Sequence, residues 1–274
     1  MALVFLAGAL LDVTTTIQLN ELARLSHPLM QMMVVKAPGT YHHSLMVANL
    51  AEQAAERIGA DALLTRVGAY FHDIGKMENP HFFIENQLDR LNPHDQLDPH
   101  TSSAILRSHV TEGLKMAAKH RLPQRVRDFI AEHHGTMLTN YQYALALRTQ
   151  GTEVDPKDFR YPGPKPRSKE TALVMLADGC EAAVRAARCA SLEEMDRVIR
   201  QVFSERLADR QLDDSDLTLR EIEVARQSFL ETLRGAYHPR IRYPEQHPAA
   251  VLSDVTAIGE AAETWPTIGE MSKR

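Results

Sequence analysis

The chain has 274 residues and a formal net charge of -5, which sets aside the basic surplus of a general nucleic-acid binder. Hydrophobic residues make up 44% and charged residues 24%, the balance of a globular protein able to bury a sizeable core. Two cysteines, Cys180 and Cys189, form no CxxC pair and no zinc-ligand spacing, so a disulfide framework is set aside and a reducing, cytosolic compartment fits.

The chain opens on an unbroken apolar run of ten residues, Ala2 to Leu11. A spanning helix needs about 20, and neither a basic start nor a small-residue cleavage site marks a signal peptide. The run reads as a core helix or as the end of a membrane helix cut by the start of the chain. A helix is predicted from Tyr41 to Ile58, with Thr40 as N-cap and Gly59 as stop. Val47, Leu50, Ala54 and Ile58 share one face, and His43, four residues before Val47, belongs to it. Further helices are predicted over Asp61 to Asp73, Thr101 to Lys119, Pro123 to His134 with Pro123 in the first turn, and Tyr141 to Thr149. Gly151 to Ser168 holds Pro156, Pro162, Pro164 and Pro166 and reads as a long loop. Helices resume from Lys169 to Arg188, after a Ser191 to Glu194 capping box, and from Leu217 to Tyr237. Tyr243 to Arg274 lacks periodicity and is expected to be a mobile tail. No convincing strand is found, so the expected class is all-α.

Several of the thirteen histidines stand in unusual company. His72-Asp73 ends an apolar helix, His43 lies upstream, and His109 and the pair His133-His134 follow. Asp178 interrupts an apolar run, where an unpaired carboxylate would be costly, so it should be paired or metal-bound. These residues fall on different predicted helices, and helices packed around one core can aim such side chains at a common point. Imidazole with carboxylate suits Fe, Mn, Zn and similar ions. Five histidines and two aspartates could hold two divalent ions, with Asp73 placed to serve both. Two divalent ions against two carboxylates leave the site net positive, suited to an anionic phosphodiester. A hydroxide bridging the pair would be the nucleophile. Lys165, Arg167 and Lys169 put three cations beside the proline-rich loop. Lys165 and Arg167 are expected to contact substrate phosphates.

His43, His72-Asp73 and Asp178 match the four-point pattern of the HD phosphohydrolase superfamily, and His109, His133 and His134 match its two-metal members. The stretches Ala37 to Glu52, His72 to Lys76, Pro80 to Gln87 and Tyr161 to Glu170 resemble the PgpH-type cyclic-di-AMP phosphodiesterase family. The resemblance spans residues 25–240. It implies an HD-domain helical bundle with a two-metal site, cleaving cyclic di-AMP to pApA. It implies one metal on His43, His72, Asp73 and Asp178, and the other on Asp73, His109, His133 and His134. Fe or Mn is the expected metal. Asp73 and Lys76 are the expected catalytic pair, Lys76 one turn on toward a phosphate. His42, His81, His94, His100 and His120 are expected to have no metal role. Members of this family normally follow a multi-helix membrane region, so residues 1–24 are expected to hold the end of a membrane helix and a linker, with the enzyme in the cytoplasm at the inner membrane face and 241–274 as a tail.

The nearest rival is the cyclic-di-GMP-cleaving HD-GYP group. Its Gly-Tyr-Pro should follow the paired histidines, whereas Gly135-Thr-Met-Leu-Thr139 stands here. A single-metal HD nucleotidase would leave the extra histidines idle. A non-catalytic sensing module would lack a ligand, and none is missing.

Overall fold

The computed structural model describes residues 14–87, 92–151 and 153–236. The expectations for Ala2 to Leu11 and for Tyr243 to Arg274 lie outside them. Ten helices occupy the described residues: α1 (Thr16–Leu22), α2 (Pro28–Lys36), α3 (Pro38–Ile58), α4 (Ala62–Phe71), α5 (Pro99–Lys119), α6 (Gln124–Glu132), α7 (Asn140–Gln150), α8 (Lys169–Ala187), α9 (Leu192–Ala208) and α10 (Leu219–Ala236). A run of short 3₁₀ turns from Ile74–Glu78 to Pro93–Gln96 joins α4 to α5. Among the described residues the strand content is one isolated bridge, Leu138 to Arg160, and the all-α class holds.

Helix α3 is the centre of the bundle, packed by α2, α4, α8 and α10. The face predicted from Val47, Leu50 and Ala54 is buried, and Ala48, Ala51 and Ala55 are buried beside it. A helix enclosed by four neighbours buries more than one stripe, and its alanines let those neighbours approach. The start of α3 departs from expectation. Pro38 takes the first turn, a position its missing N–H suits. Thr40 therefore lies inside the helix, where its amide donates to Asn86 Oδ1 (3.1 Å) and its hydroxyl to Glu85 Oε1 (3.1 Å). Gly59 ends the helix at φ 72°, as expected of a left-handed stop.

The other boundaries shift by a few residues. Asp98 caps α5, so that helix begins at Pro99 rather than Thr101. Pro123 is the N-cap of α6 rather than a first-turn residue. Asp61 caps α4, which stops at Phe71 and leaves His72 and Asp73 at its end. Ser191 Oγ accepts from Glu194 N (3.2 Å), but Glu194 Oε2 accepts from Ala190 N (2.8 Å), so the predicted box is half closed. Helices α1 and α2 were not predicted. The α2 cap is His27, through Nδ1, a residue not read as a cap in sequence. Ser168 opens α8 with a reciprocal box to Thr171. The cysteines are free. Cys180 is buried, which pushes its thiol up, and Cys189 is half-buried.

One close approach sets the site. A Cβ on Gly75 would lie 1.8 Å from the His109 carbonyl oxygen and 2.5 Å from Gly113 N. Helix α5 therefore lies directly on the turn after Asp73, which carries His109 to that aspartate.

Candidate metal centre

Four of the histidines arrive already oriented. His72 Nδ1 donates to the Ala69 carbonyl (2.7 Å), His109 Nδ1 to Leu106 (2.6 Å), and His133 Nδ1 to Phe129 and Ile130 (3.0 Å each). A carbonyl accepts only, so each bond fixes the Nδ1–H tautomer and leaves Nε2 as a lone pair. The carbonyls lie three or four residues back on the ligand's own helix. His43 instead donates from Nδ1 to buried Glu181 (2.5 Å), a carboxylate–histidine pairing of the kind that orients metal ligands.

These Nε2 atoms converge on Asp73. Its Oδ1 lies 3.5 Å from His109 Nε2 and 3.6 Å from His133 Nε2. Its Oδ2 lies 3.1 Å from His72 Nε2 and 3.6 Å from His43 Nε2. Two donor groups result: Asp73, His109, His133 and His134, and His43, His72, Asp73 and Asp178. Within each, the donor atoms lie within 4.8 Å of one another. Ligands bound at about 2.0–2.2 Å require separations of this order. The resemblance implied the same two sets, and the fold brings all seven residues together.

Three of the donor atoms lack other employment. His72 Nε2 and both Asp73 oxygens are buried without a hydrogen-bond partner. Lys76 Nζ does lie 2.8 Å from Asp73 Oδ2, as an ion pair. Orphaned buried polar atoms on this scale mark a missing partner, and a divalent cation fits the donor set.

The electrostatics agree. Burial opposes ionisation of Asp73, but the electrostatic influence of His72 and Lys76 outweighs it and holds its carboxyl well below the usual range. Burial opposes Asp178 too, and the hydrogen bond from His43 outweighs it. Burial drives His109 down to about 3 and His134 well below its usual value, so both are neutral, the ligating form. Burial also lowers His43, yet hydrogen bonds to Asp178 and Glu181 raise it to about 10. Its Nε2 proton faces Asp178 Oδ1 at 3.0 Å, and that proton is the one a metal displaces.

A cavity of about 500 Å³ opens over the centre, lined by His43, His109, His134 and Asp178 with Lys76, Phe83, Leu106 and Tyr161. Lys76 is held by Asp73 and by Glu85 (2.8 Å each). Burial lowers its ammonium, but the Asp73 and Glu85 charges raise it above its usual value, so it stays cationic. Thr40, Glu85 and Asn86 bond together, which ties the stretch around Pro80 to Gln87 to the start of α3. Lys165 and Arg167 stand elsewhere: neither lines this cavity. Arg167 lines a separate one with Arg125, Asp128 and Glu132, and its amide donates to Glu132 Oε2 (2.9 Å). The proline-rich loop is pinned by Tyr161 N to Met137 O (2.9 Å) and Thr139 N to Phe159 O (2.9 Å). What it brings to the site is Tyr161, whose ring lies 4.2 Å from that of His134. Sequence reasoning missed Tyr161, Glu181, Arg185 and Arg206. The acid Glu181, three residues after Asp178 on an otherwise apolar face, was the available signal. His42, His81, His94, His100 and His120 belong to neither donor group. His94 is bonded by Ser102 Oγ (2.7 Å) and the Phe82 carbonyl (2.9 Å), a scaffold role.

The fold and the site define an all-helical metal-binding domain built on a shared aspartate. The HD domain family model matches residues 40–183, more than half of the chain, and the chain belongs to that family. It is 44% identical over 233 residues to the cyclic-di-AMP phosphodiesterase PgpH of Bacillus subtilis, covering 85% of this chain and 33% of that protein. The chain thus spans about a third of the length of the curated relatives it matches. Among solved structures, the HD domain of L. monocytogenes phosphodiesterase PgpH aligns with a TM-score of 0.74 at 44% identity, covering 78% of this chain and 100% of that one. The same domain in complex with cyclic-di-AMP aligns at 0.76 and 43% identity, with the same coverage. Arg185 and Arg206 lie beyond residue 183, where the family match ends.

Proposed function

We propose that the chain is a metal-dependent phosphodiesterase that opens cyclic di-AMP to pApA, with two ions of Fe or Mn. The observation that carries this reading is Asp73, with one oxygen facing each donor group at the floor of the cavity. Two divalent ions held there would polarise the phosphodiester and supply an activated water. The chain's own groups supply the remainder. Lys76 stays cationic between Asp73 and Glu85 and meets the charge gathering on the phosphoryl oxygens. Phe83, Leu106 and Tyr161 offer apolar surface on which a purine can lie. Water adds to phosphorus as the bond to the ribose 3′ oxygen breaks, and the leaving oxygen takes up a proton.

The adenine preference is supported by the similarity to PgpH and by the cyclic-di-AMP bound to the L. monocytogenes domain. Lys165 and Arg167 enter the proposal as a source of long-range positive potential. The same reading places the domain in the cytoplasm at the inner face of a membrane. No described helix is long and apolar enough to cross one, and the run 2–11 lies outside the described residues. The deciding experiment assays cyclic di-AMP and cyclic di-GMP side by side with Mn or Fe supplied. The expected result is a kcat/KM at least about tenfold higher for cyclic di-AMP, equivalent to about 1.4 kcal/mol in transition-state binding. Equal turnover of the two rings removes the adenine claim and leaves the phosphodiesterase.

A further inference from the structure

The cavity over the metal centre has a wall contributed by Gly179, Ala182 and Arg185 of α8 and by Val202, Glu205 and Arg206 of α9. Three lysine and arginine side chains line the cavity among the described residues: Lys76, Arg185 and Arg206. Two of them are engaged. Lys76 is bound by Asp73 and Glu85, at 2.8 Å each. Arg185 donates through Nε to both oxygens of Glu181, at 3.1 and 3.3 Å.

Arg206 differs. Its side chain is 16% exposed, and its Nε is buried with no hydrogen-bond partner. The acid within ion-pair range is Glu205, 3.7 Å from Nη1 and itself 49% exposed, a loose pair in contact with water. An orphaned N–H on a charged group is a cost that a bound anion would remove. The guanidinium is also near the reacting region. A Cβ on Gly179, the residue after the ligand Asp178, would come 3.0 Å from Arg206 Nη2.

A cyclic dinucleotide is a ring closed by two phosphodiesters. When one lies at the metals, the other must occupy a different part of the same cavity, where an uncompensated charge would be costly. A guanidinium fork matches two phosphate oxygens at once. We propose that Arg206 receives the second, uncleaved phosphate of a cyclic dinucleotide, and so favours two-phosphate rings over diesters that carry a single phosphate. This rests on the reading of the chain as a cyclic-dinucleotide phosphodiesterase. The charge comes from α9, outside the residues shared with the HD family model, so it belongs to substrate choice rather than to the metal chemistry.

Arg206→Met keeps an unbranched apolar stem and removes the charge. For wild type and variant loaded with Mn, kcat and KM are measured on cyclic di-AMP, cyclic di-GMP and bis(p-nitrophenyl) phosphate, which has one phosphodiester. Metal content and melting temperature are recorded alongside. The expected result is a fall of about tenfold or more in the ratio of ring to one-phosphate kcat/KM, carried by KM, with both ions retained. Arg206→Lys, which keeps the charge without the fork, recovers part of that ratio and serves if the Met variant does not fold. Equal loss on all three substrates, or no loss, overturns the role of Arg206. A wild-type preference for cyclic di-GMP overturns the adenine reading alone, because both rings carry the second phosphate and the Arg206 ratio still decides. A wild-type chain that turns over neither ring overturns both readings.

Discussion

The floor of the cavity and its α8–α9 wall are built on different principles. On the floor, His72, His109 and His133 are each oriented by a carbonyl of their own helix, three or four residues back. Each ligand therefore carries its aim with it, and the fold has only to bring the helix ends together. On the wall, Arg185 is held by Glu181, four residues back on α8, whereas Arg206 of α9 takes its place against Gly179 of α8. The floor holds its donor geometry by local bonds. Arg206 is placed by tertiary contact, and it can change without disturbing the ligands. Helix α9 carries none of the seven candidate ligands, so a substrate contact from Arg206 would be separable from the metal chemistry.

The sharpest way to break the floor is Asp73→Ala. Both donor groups lose their shared carboxylate, so metal analysis of the purified variant should find neither ion retained. kcat should fall by about 10³-fold or more, as when preorganised charge is removed from an active site. A full metal complement in that variant would refute the sharing.

A smaller effect is expected from Glu181→Gln, which acts where floor and wall meet. Glutamine can still accept from His43 Nδ1 but brings no charge to it or to Arg185. Loss of an outer carboxylate of this kind weakens metal binding by about 10- to 100-fold. Competition with a chromophoric chelator measures the change, and the group containing His43 should empty first. Unaltered affinity would reduce Glu181 to a packing role.

The smallest effect is expected from replacing Lys165 and Arg167 together with alanine. Neither lines the cavity, so their influence is long-range and screened at physiological salt. KM for cyclic di-AMP should rise by less than about threefold, and less still at higher salt, with metal content unchanged. A tenfold rise would bring the proline-rich loop over the site and extend the wall beyond α8 and α9.

By itself the sequence determined the class, the main helices and the seven candidate ligands that the fold brings together. Helical periodicity put His43 on the inward face of α3, the apolar run around Asp178 required a partner for its charge, and His72-Asp73 lay at the end of an apolar helix. Such signals survive in one dimension because burial and capping act over three or four residues. The division of ligands between two metals came from family resemblance rather than from spacing. Tertiary structure alone decided which cations face the cavity. Lys165 and Arg167 form the conspicuous basic cluster in the chain, yet the loop turns Tyr161 toward His134 instead. Arg206 is one of three arginines along α9, and nothing within a few residues of it in sequence marks it. Its place depends on α9 lying against Gly179, a contact between residues far apart in the chain, and periodicity within a single helix carries no record of which neighbour that helix will meet.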